Sequence, residues 1–218
     1  MSIHARLIRE ISDILVNLNS EINRQNKMGR THLNYEAEEI YCTVLNIVTG
    51  WNLQNVRQFH DNYPAVDLVD EERRVAVQVT SSSDRAKIQH TLDWFYKCDM
   101  HTKFDQLIIL LVGKRLQYRR PFTVEVGLNF DSNRDIWDED RLLYIFDGLP
   151  LEHLKRLRDY LWSKTTGLGL PEYIINQEDN TQVLYQIISD TTGNSLVIDE
   201  VLLRENTIHF GYEYLINT

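Results

Sequence analysis

The chain has 218 residues, 43% hydrophobic and 25% charged, which supplies enough apolar material for a packed core. Its formal net charge of −9 excludes a surface that is basic throughout, so any nucleic acid would be held at a local patch, because affinity follows the phosphates neutralised. No run approaches the roughly 18 apolar residues of a membrane span, and the start MSIHARLIREISD lacks the charged-then-apolar layout of a signal peptide, so a soluble cytoplasmic protein is expected.

Ile3, Leu7, Ile11, Leu15, Leu18 and Ile22 recur at helical spacing, with Arg9, Glu10, Asp13 and Glu21 off that stripe. The apolar face of this amphipathic helix needs a partner, and a homo-oligomer built on it is one expectation. Residues 24–32, RQNKMGRTH, read as a polar loop. A second helix is expected to start at a capping Asn34, with Glu36 and Glu38 in its first turn, where carboxylates suit the helix dipole. Ile40, Tyr41, Val44, Leu45 and Val48 make its buried face, and Gly50 stops it.

Three strand candidates follow, WNLQNV at 51–56, AVDLV at 65–69 and RVAVQVT at 74–80. Ser82 or Ser83 is expected to cap a third helix with Ile88, Leu92 and Phe95 on one stripe. QLIILLV at 106–112 is apolar on both faces, as a central strand covered by helices should be. Cys42 and Cys98, the only cysteines, both fall in apolar helical stretches and read as core residues, with no disulfide or zinc site suggested.

Beyond Gly113, YRRPFTVEV at 118–126 reads as another strand, and residues 138–149 and 151–164 as two helices divided by Pro150. TTGLGLPEY is a turn or linker, residues 180–189 read as a short helix, and SLVIDEVLLRENTIHFGYEYL as a β-hairpin module. The expected organisation is a helix and linker at 1–33, a core at 34–128, a helical extension at 129–169 and a C-terminal module at 170–218.

The hairpin of residues 65–80 carries the chemistry. If its turn centres on Glu72 and Arg73, Asp67 lies across from Gln78 and Thr80 shares their face, while Val66, Leu68, Val75, Val77 and Val79 point to the other. A slip of one residue would turn five aliphatic side chains out of the core, so the apolar pattern fixes this register. Polar groups on one face of paired central strands are costly unless satisfied or used. Mg²⁺ takes one or two carboxylates together with waters and phosphate oxygens. Asp67, the Gln78 side-chain carbonyl, the Val79 backbone carbonyl and Glu38 could supply such a shell for Mg²⁺ or Mn²⁺. Asp70, Ser81, Ser82 and Asn62 read as turn and cap residues near that site, and His60 is given no role as a base. Lys114, Arg115, Arg119 and Arg120 cluster with Tyr118 in GKRLQYRR and form the candidate nucleic-acid patch.

NYEAEEIYCTVLN, NYPAVDLVDEERRVAVQVTSS and KIQHTLDWF, together with NFDSNRDIWDEDRLLYIF, resemble the SMEK domain, a bacterial family associated with the restriction-endonuclease-like PD-(D/E)xK superfamily. The resemblance implies an α/β restriction-endonuclease-like core of helix, three strands, helix and strand. Its mixed central sheet is flanked by helices, with an N-terminal amphipathic helix and a C-terminal helical and β extension. It places Glu38 as the first-helix acid, Asp67 as the strand aspartate, Gln78 where a glutamate is usual and Thr80 where a lysine is usual. Lys87, in the following helix on a face with Thr91 and Trp94, could stand in for that lysine at a phosphate.

The activity implied is metal-dependent phosphodiester hydrolysis in a bacterial antiphage or conflict system. DNA is favoured over RNA, with a partner ATPase or effector. Gln78 and Thr80 weaken metal binding and remove a cation, and so favour the other reading, a degenerate nuclease-fold module that binds nucleic acid or a partner protein as a sensor or adaptor.

Overall fold

The computed structural model describes residues 2–30, 32–58 and 63–166, and the backbone of the strands at 182–189, 195–204 and 207–211. The chain divides into two compact units, residues 1–162 and 163–218. In the first, α1 (Ile3–Lys27) and α2 (His32–Thr49) lead into a five-stranded sheet in the order β1 (Gln54–Asn55), β2 (Leu68–Asp70), β3 (Val75–Thr80), β4 (Gln106–Leu111) and β5 (Ile136–Trp137). β1, β2 and β3 are antiparallel neighbours, and β3, β4 and β5 run parallel, so the sheet is mixed. The parallel step from β3 to β4 is made by α3 (Arg85–Lys97) and the one-turn α4 (Met100–Lys103). The one-turn α5 (Ser132–Asp135) precedes β5, and α6 (Glu139–Asp147) and α7 (Leu151–Thr166) follow it.

The hairpin has the register that its apolar pattern requires. Leu68 pairs with Val77, Val69 with Ala76 and Asp70 with Val75. The turn is held by Asp70, whose carboxylate accepts from the Arg73 N–H at 3.0 Å and the Asn52 N–H at 2.8 Å, and Arg74 takes the left-handed conformation at φ 54°. Val69, Ala76, Leu107, Ile109 and Leu111 pack with Ile88, Leu92 and Phe95 of α3 in one cluster. Val66 packs in this cluster too, and not with Leu68 on the other face as strand alternation predicts, because β2 begins only at Leu68. Leu7, Ile11, Leu15, Leu18 and Ile22 of α1 are buried, with α1 packed on α2 and α6. From Leu7 to Ile22 the stripe is thus covered by the chain itself, while Ile3 at its start is exposed.

Several expectations are corrected. α2 begins at His32, so Asn34 lies inside its first turn and accepts from the Asn26 side chain at 2.9 Å instead of capping the helix. α3 is capped by Asp84, whose carboxylate accepts from the Ala86 N–H at 3.2 Å, while Ser82 accepts from the Asp84 N–H one turn earlier. Asp84→Ala is expected to cost about 1 kcal/mol, read as a fall of roughly 2–4 °C in the unfolding midpoint. Cys98 is the C-cap of α3 and only half-buried, whereas Cys42 is buried in α2 with its thiol on the Leu53 carbonyl at 3.2 Å.

Residues 118–126 form no strand, because α3 side chains take the backbone partners a strand would need. Gln89 accepts from the Thr123 N–H at 2.9 Å and donates to its carbonyl at 2.8 Å, while Arg85 donates to the carbonyls of Arg120 and Pro121. Tyr118, Phe122 and Val124 pack against the cluster that faces α3.

In the second unit, β6 (Gln182–Ser189), β7 (Ser195–Arg204) and β8 (Thr207–Gly211) form an antiparallel sheet in that order. The helix expected at 180–189 is a strand. Val183, Tyr185, Ile187 and Ile188 suit a pleated surface, and pairing with β7 overrides the weak helical pattern. Among the described residues, no helix is long and apolar enough to cross a membrane.

Candidate functional site

At the ends of α2 and β3 a cleft of about 370 Å³ opens, lined by Glu38, Tyr35 and Asn34 of α2, by Gln78 to Ser82 leaving β3, by Arg57, and by Lys87 of α3. Each side chain arrives by a different route. Tyr35 and Glu38 are one helical turn apart, so they share a face of α2. Gln78 and Thr80 stand on the same face of β3 as Ala76, and Lys87 is in the first turn of α3. Arg57 comes from the short 3₁₀ turn after β1.

Asp67 joins the cleft through Gln78 and Val79. The Val79 N–H donates to Asp67 Oδ2 at 2.8 Å, and the Gln78 amide nitrogen donates to the same oxygen and, at 3.2 Å, to the Val79 carbonyl. Both neighbours of that nitrogen are acceptors, which sets the orientation of the Gln78 amide. Burial, and next the charge of Glu38, push the Asp67 carboxyl up to about 7, against the lowering effect of the Val79 N–H, Arg57 and Gln78. Glu38 is itself buried, 5% exposed, and is gripped by Arg57 through Nε to Oε2 at 2.7 Å and Nη2 to Oε1 at 3.2 Å. The guanidinium lies 4.0 Å from the centroid of the Tyr35 ring.

The donor set suits a hard cation. Asp67 Oδ2 and the Val79 carbonyl oxygen converge on one point, now taken by the Gln78 amide nitrogen, and turning that amide over would offer a third oxygen. Among the described residues no group of three or more His, Cys, Asp or Glu side chains is gathered as a metal cluster. The present set differs in kind: one carboxylate, one peptide carbonyl and one amide at the point itself, with the Glu38 carboxylate electrostatically coupled to Asp67 and held by Arg57, a sparse oxygen set of the sort with which Mg²⁺ keeps several waters.

The sequence-selected residues Glu38, Gln78, Val79, Thr80 and Lys87 therefore meet at the cleft, with Asp67 bonded beside them. The basic cluster does not line it. Lys114 stands 3.8 Å from Asp140, and Arg115 donates to the Ser132 carbonyl and the Asn133 side chain, while Arg119 and Arg120 are exposed. Asp70 serves the hairpin turn, Ser81 bonds Asn26 at 3.0 Å, and Asn62 and His60 lie outside the described residues. Arg57 and Tyr35 were not singled out in the sequence. Tyr35 could have been found from its i,i+3 relation to Glu38, but Arg57 has no local signal, since its partner is 19 residues away.

A family model described as the SMEK domain matches residues 10–146. The chain belongs to the SMEK-domain family. The match runs from within α1 through most of α6 and includes every cleft residue, so the site lies inside the SMEK domain, while the β6–β8 sheet lies outside it. No curated protein and no solved structure matched the chain.

Proposed function

We propose that this SMEK domain is a restriction-endonuclease-like core of the PD-(D/E)xK superfamily that hydrolyses phosphodiester bonds, with Mg²⁺ or Mn²⁺, in the cytoplasm as part of a bacterial antiphage or conflict system. The observation that carries the reading is the convergence of Asp67 Oδ2 and the Val79 carbonyl on one point, within the electrostatic reach of Glu38 and beside a cleft open to Lys87. Asp67, Val79, Gln78 and Glu38 would hold the cation, which when bound supplies a nucleophilic water and charge stabilisation at phosphate.

The chain's own groups do the rest. The Val79 N–H fixes the Asp67 carboxylate against rotation. Lys87 brings positive charge to the cleft on the first turn of α3, where a phosphate oxygen also meets the helix dipole. Thr80 accepts from the Ser82 N–H at 3.2 Å, which orders the chain between β3 and α3. DNA is the expected polymer, with a partner ATPase or effector as regulator.

Purified protein given Mg²⁺ or Mn²⁺ with single- and double-stranded DNA and RNA should cleave at least one of them, and Asp67→Ala should not. Equal cleavage by both proteins, or by neither, sinks the proposal.

The reading of a degenerate binding module draws on a different observation. Arg57 already neutralises Glu38, and the Gln78 amide already satisfies Asp67 and the Val79 carbonyl without any ion. Calorimetric titration with Mn²⁺ separates the two, since Asp67-dependent binding supports the enzyme and absence of heat supports the module.

A further inference from the structure

We infer that the substrate of this cleft is an unpaired stretch of nucleic acid, one base stacking on Tyr35 while the adjoining phosphate meets Arg57 and Lys87, an inference that rests on the phosphodiesterase reading above. Tyr35 is half exposed, a large aromatic ring standing in the wall of a polar cleft. One face of the ring carries the Arg57 guanidinium at 4.0 Å, and that guanidinium is fixed in turn by its two bonds to Glu38. The ring is therefore ordered before any ligand arrives, which removes an entropic cost from stacking. Bases within a duplex bury their π faces against each other, whereas unpaired bases are free to stack on aromatic side chains whatever their sequence.

The charges point the same way. The cations lining the cleft, among the described residues, are Arg57 and Lys87, and Arg57 already answers Glu38. Such a site neutralises one or two phosphates. A grip on duplex needs many more, because each neutralised phosphate contributes its released counterions, and a chain of net charge −9 repels the remainder. Tyr35 is also one helical turn from Glu38, so a base stacked there puts its own phosphate beside the carboxylate site and not a distant one.

The test is fluorescence anisotropy at low salt with EDTA present, so that binding is read without hydrolysis. Labelled oligonucleotides of about 12 residues, within the footprint range of single-strand binders, are offered as a deoxy strand, a ribo strand and a hairpin duplex. One or both single strands should bind at least about tenfold more tightly than the duplex. Tyr35→Ala should weaken single-strand binding roughly tenfold, from the cost of losing one stacked base, and Tyr35→Phe should restore it to within about twofold. Lys87→Ala should reduce the salt slope by about one phosphate.

Binding of duplex as tight as single strand, an unchanged Tyr35→Ala, or no binding to any of the three overturns the inference. Cleavage that ignores Tyr35 would leave the phosphodiesterase reading standing and remove this one. Tyr35-dependent binding of single strands with no cleavage would remove the phosphodiesterase reading and leave the cleft a single-strand binding site.

Discussion

Asp67→Asn should make the protein more stable at pH 8 and inactive as a cation-dependent enzyme. Asparagine can keep both observed bonds, with its carbonyl oxygen accepting from the Val79 N–H and from the Gln78 amide as Asp67 Oδ2 does. It removes a carboxyl that burial and Glu38 push up to about 7 from the ordinary 3.8. A carboxyl that holds its proton more tightly folded than unfolded contributes stability that is full below the unfolded value. That contribution is lost as pH rises through about 4 to about 7, and above this the native state carries the cost of a charged Asp67.

A shift of this size corresponds to a few kcal/mol, and partial solvent screening brings the expected gain to about 2 kcal/mol. Thermal unfolding should therefore place the variant roughly 4–8 °C above the parent at pH 8, with the gap closing near pH 4.5. On the proposed phosphodiesterase reading, cleavage should fall more than the roughly 10–100-fold that loss of an outer-shell partner of a metal ligand costs, because the neutralised group would be a direct ligand. A gap between variant and parent no larger at pH 8 than at pH 4.5 would mean that Asp67 is not charged at a cost in the native protein.

Arg57→Ala should produce the opposite change in stability. Glu38 is 5% exposed and is paired with the half-exposed Arg57, so the substitution leaves a buried carboxylate electrostatically coupled to Asp67 without the guanidinium that answered it. Breaking a fully buried pair from one side costs about 3–5 kcal/mol, and the exposure of Arg57 reduces this to about 2–3 kcal/mol. The unfolding midpoint at pH 8 should drop by roughly 4–12 °C, and the Asp67 carboxyl should rise further, since Arg57 is one of the groups holding it down.

Millimolar Mn²⁺ should recover much of the lost stability in Arg57→Ala and less in Arg57→Ala combined with Asp67→Asn, because the ion can replace the guanidinium only where the carboxylates remain. Arg57→Lys, which keeps the charge without the paired Nε and Nη2 contacts, should fall between. Recovery that is the same in both backgrounds would separate Asp67 from the cation.

The sequence by itself determined the elements whose apolar period admits one reading. The stripe from Leu7 to Ile22, the Val-rich β3 and the continuous apolar β4 all stand where period and composition put them, and the 67-to-78 register is the one the aliphatic pattern required, although Val66, one of the five side chains in that pattern, packs on the opposite face. The polar residues that share a face with that register were legible for the same reason, which is how Asp67 and Gln78 could be paired before any coordinates.

Only the tertiary structure decided what depends on contacts distant in sequence. Arg57 reaches Glu38 across 19 residues, Gln89 supplies both backbone partners of Thr123, 34 positions away, and β6 becomes a strand because β7 lies beside it. Side-chain periodicity records whether a residue faces a core or solvent, but it carries no record of which distant group it meets. The grip of Arg57 on Glu38, and the stacked ring of Tyr35 beside it, therefore emerge only once the chain has closed on itself.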